Sequence, residues 1–180
     1  MAGVLQRAGI PFMLTGSLAS SFQGEPRSTH DIDLVVRMTP SQADEVLRAF
    51  PAPRYYLSES AVREAIQRRG TFNLLDTVEG DKVDFWMLTD EPFDQSRFAR
   101  RQEQELLGLR IPVSAPEDTI LYKLHWARLS GGSERQFVDA LRVYELQLAA
   151  LDVAYLEDWA ARLGLGALWS RLKAEAVPLR

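Results

Sequence analysis

Strand-like and helix-like patterns of apolar residues alternate along the first part of the chain. Short apolar runs bounded by glycine, proline and polar residues predict strands, and apolar residues with helical spacing predict helices. The predicted strands cover residues 11–15, 32–37, 72–75, 83–88 and 109–113. The predicted helices in this part cover residues 2–8, 18–23, 40–50, 60–68 and 93–104.

The chain after about residue 114 has a helical pattern only. A helix begins at Ala115-Pro-Glu-Asp, where a first-turn proline and two acidic residues suit a helix N-terminus. Further helices are predicted over residues 134–148, 152–163 and 165–176. The patterns together predict an α+β fold, in which residues 1–114 form a mixed β-sheet core with flanking helices. Residues 115–180 are predicted to form a C-terminal helical region packed on that core.

The composition narrows the class of protein without defining it. The chain has 180 residues, which suits one domain with a small appendage, and its net charge of −4 gives no global basic field for nucleic acid. This net charge still allows a local basic patch, formed by Arg97, Arg100, Arg101 and Arg110. Without cysteines the chain has neither disulfides nor thiolate metal sites. No apolar run approaches the roughly 20 residues of a membrane span, and we expect a cytoplasmic protein.

The segment Asp31-Ile-Asp-Leu-Val-Val opens an apolar strand with two acidic residues one position apart. Side chains alternate between the two faces of a strand, so Asp31 and Asp33 lie side by side on one face. Two neighbouring carboxylates repel each other unless a cation neutralises them. Mg²⁺ is such a cation, because it binds carboxylate oxygens together with substrate phosphates. The alternative is an exposed loop end with two solvated aspartates.

Two other enzyme classes use an Asp-x-Asp motif, and both fit this chain poorly. Haloacid-dehalogenase-like phosphatases have an apolar strand before the motif, whereas polar residues Glu25–His30 precede it here. Sugar-nucleotide glycosyltransferases place the motif after a long nucleotide-binding half, and here only a short segment precedes Asp31. The two histidines, His30 and His125, do not have the spacing of a metal-ligand pair.

Gly16 and Ser17 follow the first predicted strand and precede a predicted helix. Glycine lets the backbone approach a ligand closely, and Ser17 stands at the helix N-cap, where free N–H groups attract anions. The alternative is that the pair forms an ordinary turn and cap.

Asp84 is the candidate for a third carboxylate. It lies in the strand Val83–Leu88, and an acidic side chain within a strongly apolar strand is unusual without a partner. The alternative is an aspartate that faces water from an edge strand. Asp81 competes for the same role but is predicted to lie in a turn. Trp86 is expected to pack under the helical part rather than to stack on a base.

These motifs, taken together, resemble the nucleotidyltransferase (polymerase-beta-like) superfamily. The segment Arg27-Ser-Thr-His-Asp-Ile-Asp-Leu is similar to the R-x-T-x-D-I-D-L form of AbiEii-type nucleotidyltransferases and their relatives. Ala115-Pro-Glu-Asp-Thr-Ile-Leu-Tyr-Lys-Leu resembles their A-P-E-D-x-x-x-x-K-L helix, and Ser133–Asp139 resembles the charged segment that follows it.

The resemblance implies a nucleotidyltransferase-like mixed β-sheet and a role for each matched residue. Asp31, Asp33 and Asp84 would be the catalytic carboxylates and would bind Mg²⁺, with Mn²⁺ as an alternative. Asp84 would also help to deprotonate the attacking hydroxyl group. The nucleotide-binding residues would be Gly16, Ser17, Lys123, Arg27 and Asp139. Among these, Asp139 would pair with a cation or orient Lys123.

The expected activity is transfer of a nucleoside monophosphate from an NTP to a hydroxyl group. The acceptor is open among protein, RNA and a small molecule, although the acidic composition disfavours a tRNA acceptor. The resemblance also raises the toxin of a toxin–antitoxin pair, with an antitoxin as partner. The alternative function is a nucleotide-sensing or partner-binding module of the same fold that has no turnover.

Overall fold

A computed structural model describes residues 1–29, 31–106 and 108–177, so His30 lies outside the described residues. The strands within these residues are β1 (Phe12–Thr15), β2 (Asp31–Val36), β3 (Tyr55–Leu57), β4 (Thr71–Asp76), β5 (Lys82–Met87), β6 (Gln102–Leu106) and β7 (Leu109–Val113). The helices are α1 (Ala2–Arg7), α2 (Gly16–Gln23), α3 (Pro40–Ala49), α4 (Glu59–Arg68), α5 (Pro92–Ala99), α6 (Pro116–Leu129), α7 (Glu134–Gln147), α8 (Val153–Arg162) and α9 (Gly166–Glu175). A short 3₁₀ turn lies at Leu148–Ala150.

The chain divides into two compact units, each built from two stretches of sequence. The first unit comprises residues 1–15 and 29–113, and the second comprises residues 16–28 and 114–177 of the described chain. The longer stretch of the second unit begins at Ser114, beside the predicted boundary. It also includes residues 16–28, which the predicted division places in the first region, because α2 packs against α6 and α7.

The first unit is a mixed sheet of seven strands among the described residues, in the order β3-β4-β5-β2-β1-β7-β6. Strand β2 pairs with β5 in parallel and with β1 in antiparallel orientation. Strand β1 also pairs with β7 in parallel orientation. The mixed sheet with its helices confirms the predicted fold class, and it places β2 beside both β1 and β5.

The strand β5 shows why the sheet has a buried and a partly open face. Its side chains alternate between intermediate and buried exposure along the strand. On the buried face, Phe85 stacks on Phe72 of β4, with ring centroids 4.5 Å apart. On the other face are Lys82, Asp84 and Trp86, as the alternation of apolar and polar residues predicts.

Helix α3 shows how local sequence defines an element boundary. Thr39 and Gln42 form a capping box, in which each side chain accepts a hydrogen bond from the other residue's backbone N–H. Pro40 occupies the first turn, where its missing N–H costs nothing. Ala43 and Val46 on one face are buried, so the helical pattern correctly predicted this element.

Two strands were not predicted. Strand β3 is only three residues long, and β6 falls partly within the helix predicted over residues 93–104. Helix α5 ends at Ala99, and residues Gln102–Leu106 pair with β7 in antiparallel orientation. The sequence Gln-Glu-Gln-Glu-Leu has few apolar residues because this strand lies at the edge of the sheet. Its composition therefore resembles that of an exposed helix.

The second unit is a cluster of helices around a core of apolar side chains. Fully buried residues from four helices form this core: Leu121, Leu124, Phe137, Leu156 and Leu172. None of the helices within the described residues has the length and apolar content needed to cross a membrane.

We expect Gly24→Ala to destabilise the protein, because α2 and α7 approach closely at this position. An added Cβ atom would lie 2.9 Å from the backbone N of Val143 and 3.0 Å from the carbonyl O of Ser20. The expected loss is about 1–3 kcal/mol in the free energy of unfolding, measured by urea denaturation.

Gly166→Ala is the matched control for this prediction. A Cβ atom at Gly166 meets no atom within 4 Å, so alanine should leave stability unchanged or raise it by up to about 1 kcal/mol. Equal stability of the two variants would show that α2 and α7 can move apart at this position with little cost in free energy.

Candidate functional site

The predicted carboxylates lie on one face of the sheet in the first unit. In the parallel pair β2 and β5, Asp33 is the register partner of Asp84, and Asp31 is the register partner of Lys82. Directly opposed residues on neighbouring strands project to the same face. The backbone therefore brings Asp31, Asp33 and Asp84 together, although Asp84 is more than fifty residues from the other two in sequence.

Two neighbouring side chains contact these carboxylates. The Nζ of Lys82 is 2.8 Å from Oδ2 of Asp84, and the indole Nε1 of Trp86 donates a hydrogen bond of 3.2 Å to Oδ1 of Asp33. The hydrogen bond to Asp84 raises the pKa of Lys82, and the charges of Asp84, Asp31 and Asp33 raise it further against partial desolvation. Lys82 is therefore an ammonium group that partly neutralises this face.

The same face turns apolar toward the ends of the strands. Trp86 packs against a cluster of buried side chains that includes Met13, Val35, Leu88 and Phe98. Trp86 is thus held by packing on one side and by its hydrogen bond to Asp33 on the other. Trp86 therefore packs, as expected, and these packing partners belong to the first unit.

The carboxylates have the chemistry that a divalent cation requires, since oxygen donors on neighbouring strands suit Mg²⁺. In their present positions, however, the described residues contain no group of three or more acidic or histidine side chains that could hold a metal ion. Asp84 is turned toward Lys82. The assignment of Asp31, Asp33 and Asp84 as metal ligands stays a prediction.

A second polar cluster lies in the second unit and joins four of the predicted residues. Asp139 accepts a bidentate pair of hydrogen bonds from Arg27, at 2.8 and 2.7 Å, and a third of 2.8 Å from Nζ of Lys123. Arg27 also donates to Oγ of Ser17 at 2.7 Å, and Lys123 donates to the same atom at 3.2 Å. We call these four residues the cationic cluster.

Three helices and a loop position the cationic cluster. Ser17 lies in the first turn of α2, Lys123 on α6, Asp139 on α7, and Arg27 in the loop after α2. Lys123 is only 3% exposed and Asp139 only 8%. A buried lysine is stable only with partners, which explains why Lys123 can lie close to the core leucines Leu121 and Leu124.

Ser17 is a helical residue rather than the predicted N-cap. Helix α2 begins at Gly16, whose backbone φ of 68° lies in the left-handed region that favours glycine. The positive φ of Gly16 makes the tight step from β1 into α2. The Ser17 side chain consequently contacts Arg27 and Lys123 instead of capping the helix.

The cationic cluster carries a net positive charge of one, because Arg27 and Lys123 share a single carboxylate. Burial alone would raise the pKa of Asp139, but the hydrogen bonds and charges of Arg27 and Lys123 outweigh it and lower the pKa. The pKa of Arg27 is raised mainly by its hydrogen bond to Asp139. Asp139 and Arg27 are therefore ionised at neutral pH.

Ser17 Oγ accepts hydrogen bonds from two cations, neither of which can accept one in return. A hydroxyl group has two acceptor positions and one proton. Its proton is used in neither of these bonds, so Ser17 can donate it to an anion. An excess cationic charge and a hydroxyl donor suit a phosphate group.

The acidic residues of the Ala115-Pro-Glu-Asp segment have a structural role that the sequence did not reveal. Glu117 Oε1 accepts a hydrogen bond of 2.9 Å from the backbone N of Asp152, and Asp118 Oδ1 accepts one of 2.6 Å from the Tyr155 hydroxyl. Both acidic side chains are buried. They join the start of α6 to the start of α8, in addition to lying in the first turn of their own helix.

The basic patch considered for the arginines does not form as one exposed surface. Arg97 is only 3% exposed and pairs with Asp94 at 2.8 Å. Arg101 lies over the ring of Phe98, 4.4 Å from its centroid. The reason is that Arg97 of α5 pairs with an acidic residue of the same helix, while Arg101, which follows α5, packs on an aromatic residue of that helix.

The fold of the chain is similar to those of solved nucleotidyltransferases. The solution structure of the antibiotic-resistance factor ANT(2'')-Ia has a TM-score of 0.56 and 16% sequence identity, over 96% of this chain and 89% of that one. An antigenic nucleotidyltransferase-like protein from Paracoccidioides brasiliensis has a TM-score of 0.56 and 18% identity, over 99% and 90% of the two chains.

The lincomycin-bound lincosamide antibiotic adenylyltransferase LnuA has a TM-score of 0.54 and 12% identity, over 81% of this chain and 92% of that one. These likenesses confirm the nucleotidyltransferase-like fold. No protein-family model matches the sequence, and no curated protein matches it.

We expect Asp139→Asn to destabilise the protein at neutral pH by about 3 kcal/mol, because it leaves two buried cations without their anion. Folding lowers the pKa of Asp139 below its ordinary 3.8, so its stabilising effect is present above that pH and is lost as the pH falls through the folded value. The stability difference between the wild type and Asp139→Asn should therefore shrink in acid. Urea denaturation at about pH 7 and about pH 3 measures it.

Asp158→Asn is the control, because Asp158 is 52% exposed and pairs with an exposed arginine on the same helix. Its cost should stay below about 1 kcal/mol. If Asp139→Asn were as stable as the wild type at neutral pH, this result would contradict the role of Asp139 in the cationic cluster.

Proposed function

We propose that the protein is a nucleotidyltransferase that moves a nucleoside monophosphate from an NTP to a hydroxyl acceptor with a divalent metal. The observation that carries this proposal is the direct register of Asp33 and Asp84 on parallel neighbouring strands, with Asp31 on the same face. The fold supports it, because it is similar to that of ANT(2'')-Ia and LnuA. The metal is Mg²⁺, with Mn²⁺ as its substitute.

The carboxylate face supplies the oxygen ligands for the metal. A divalent cation there would stabilise negative charge on the attacking and leaving oxygens of the phosphoryl group. Asp31 and Asp33 would hold it from β2, and Asp84 from β5. Asp84 would also accept the proton of the acceptor hydroxyl. The acceptor oxygen then bonds to the α-phosphorus, the bond from that phosphorus to the bridging oxygen breaks, and pyrophosphate leaves.

The cationic cluster supplies the groups that bind the β- and γ-phosphates. Lys123 and Arg27 carry one more positive charge than Asp139 neutralises. Ser17 would donate its proton, and Gly16 would let the backbone approach the phosphates. Asp139 would hold Lys123 and Arg27 in place rather than touch the nucleotide, because its carboxylate is fully engaged by both.

The acceptor is open among a protein, an RNA and a small molecule. ANT(2'')-Ia has been solved with adenylyl-2''-tobramycin and LnuA with lincomycin, which favours a small-molecule hydroxyl. The net charge of −4 disfavours RNA. The AbiEii-like motif Arg27-Ser-Thr-His-Asp-Ile-Asp-Leu motivates a toxin with an antitoxin partner, and an adjacent antitoxin gene would support this.

The second candidate function is a nucleotide-binding module without turnover. The observation that favours it is the hydrogen bond from Lys82 to Asp84, because this bond engages an oxygen of a predicted catalytic carboxylate. Binding of Mg·NTP without transfer to any acceptor would identify the module, whereas labelled product would identify the enzyme.

We expect Asp33→Asn to reduce nucleotide transfer by at least about a hundredfold, since a metal-binding carboxylate stabilises the transition state by several kcal/mol. The assay incubates the protein with each α-labelled NTP, Mg²⁺ and either cell lysate or an aminoglycoside, and detects labelled product. Asp90→Asn is the matched control, because Asp90 is 84% exposed and forms an ion pair with the exposed Arg69 at 3.6 Å.

Transfer at wild-type rate in Asp33→Asn would show that another group performs the chemistry. If the wild type binds Mg·NTP but gives no product with any acceptor, this result excludes the nucleotidyltransferase activity and supports the nucleotide-binding module.

A further inference from the structure

Lys82 lies among the three carboxylates of the first unit, and the proposed reaction gives it no role. Its Nζ is 2.8 Å from Oδ2 of Asp84, and the two side chains are 40% and 22% exposed. Lys82 is also the register partner of Asp31, while Asp84 is the register partner of Asp33. Its ammonium group thus contacts an acidic surface whose carboxylates would otherwise repel one another.

We propose that Lys82 is an internal counter-cation of the carboxylate face, which holds Asp84 in the metal-free protein and must release it before Asp84 binds a divalent metal. This inference rests on the proposed function, because it takes Asp84 to be a metal ligand. It assigns to Lys82 a positioning role rather than a catalytic one.

The first reason is competition for one oxygen atom. Asp84 Oδ2 accepts a hydrogen bond from the lysine ammonium, and the ammonium would lie close to any cation that the same oxygen binds. A metal ion and an ammonium group bound to the same oxygen atom would repel each other. The metal and the Lys82 ammonium therefore exclude each other at Asp84.

The second reason is that Lys82 is able to leave. Its side chain is a flexible chain that ends in a compact charge, and 40% of it is exposed to solvent. A deeply buried lysine such as Lys123, which is 3% exposed, would have no such route. Lys82 can move into water, where its charge is well solvated.

The consequence concerns the order in which ligands bind. Competition from Lys82 weakens binding of a bare metal ion to the protein. A metal that arrives with a triphosphate brings extra oxygen ligands, and the negative phosphates attract the displaced ammonium group. Lys82 would thereby make the protein bind Mg·NTP in preference to free Mg²⁺.

The test measures Mn²⁺ binding to the full chain without nucleotide, from the electron paramagnetic resonance signal of unbound Mn²⁺. Lys82→Met keeps the length of the side chain but removes its charge. We expect it to bind Mn²⁺ at least about tenfold more tightly than the wild type at low ionic strength. We also expect its melting temperature to be lower than that of the wild type without metal and to rise more when Mn²⁺ is added.

Two further lysine variants serve as controls. Lys82→Arg keeps the positive charge and should bind Mn²⁺ about as weakly as the wild type. Lys173→Met removes a lysine that is 41% exposed and pairs with Glu157 at 3.0 Å in the second unit, and it should not change Mn²⁺ affinity. If Lys82→Met does not fold, Lys82→Gln replaces it.

The outcomes separate this inference from the proposed function. Equal or weaker Mn²⁺ binding by Lys82→Met, with a wild type that does bind Mn²⁺, overturns the role of Lys82 and leaves the function intact. Absence of Mn²⁺ binding in both proteins, with and without NTP, overturns the metal-dependent function and with it the inference.

Discussion

Electrostatic repulsion between aspartates on adjacent parallel strands is the constraint on which the carboxylate face depends. The register of β2 with β5 places Asp33 directly opposite Asp84, on the same face of the sheet. Such a pair is stable only if other groups compensate its charge. In the structure Lys82 and Trp86 do so, by an ion pair to Asp84 and a hydrogen bond to Asp33. A bound divalent cation would do so more completely.

In the second unit the charge to be compensated is positive, because two cationic side chains lie in apolar surroundings. Lys123 and Arg27 converge on the single carboxylate of Asp139, and both also donate to Ser17. Removal of the anion should therefore cost far more than loss of a surface ion pair. Each unit thus contains a polar cluster whose charge its own residues balance only in part, one acidic and one basic.

The sequence pattern predicted most elements because their hydrophobic periodicity is strong. Strand β5 alternates buried and partly exposed side chains, and α3 has a proline and a capping box at its start. The sequence pattern did not predict β3, which is too short to show a period. It also did not predict β6, whose polar residues suit an exposed helix equally well. Edge strands owe their existence to pairing with a neighbour, which the local sequence does not encode.

The candidate site was predictable where residues lie close in sequence or match a motif, as Asp31, Asp33 and Lys123 do. The partners were harder, because Lys82 and Trp86 reach the aspartates only through strand register. A Lys-x-Asp spacing on one strand was the available signal. The most direct test of the carboxylate face is paramagnetic broadening of amide signals by substoichiometric Mn²⁺ in ¹⁵N-labelled protein. We expect signals from residues 31–34 and 82–86 to broaden first and to recover with EDTA. Sharp signals there, with broadening only around exposed acidic residues elsewhere, would contradict the account.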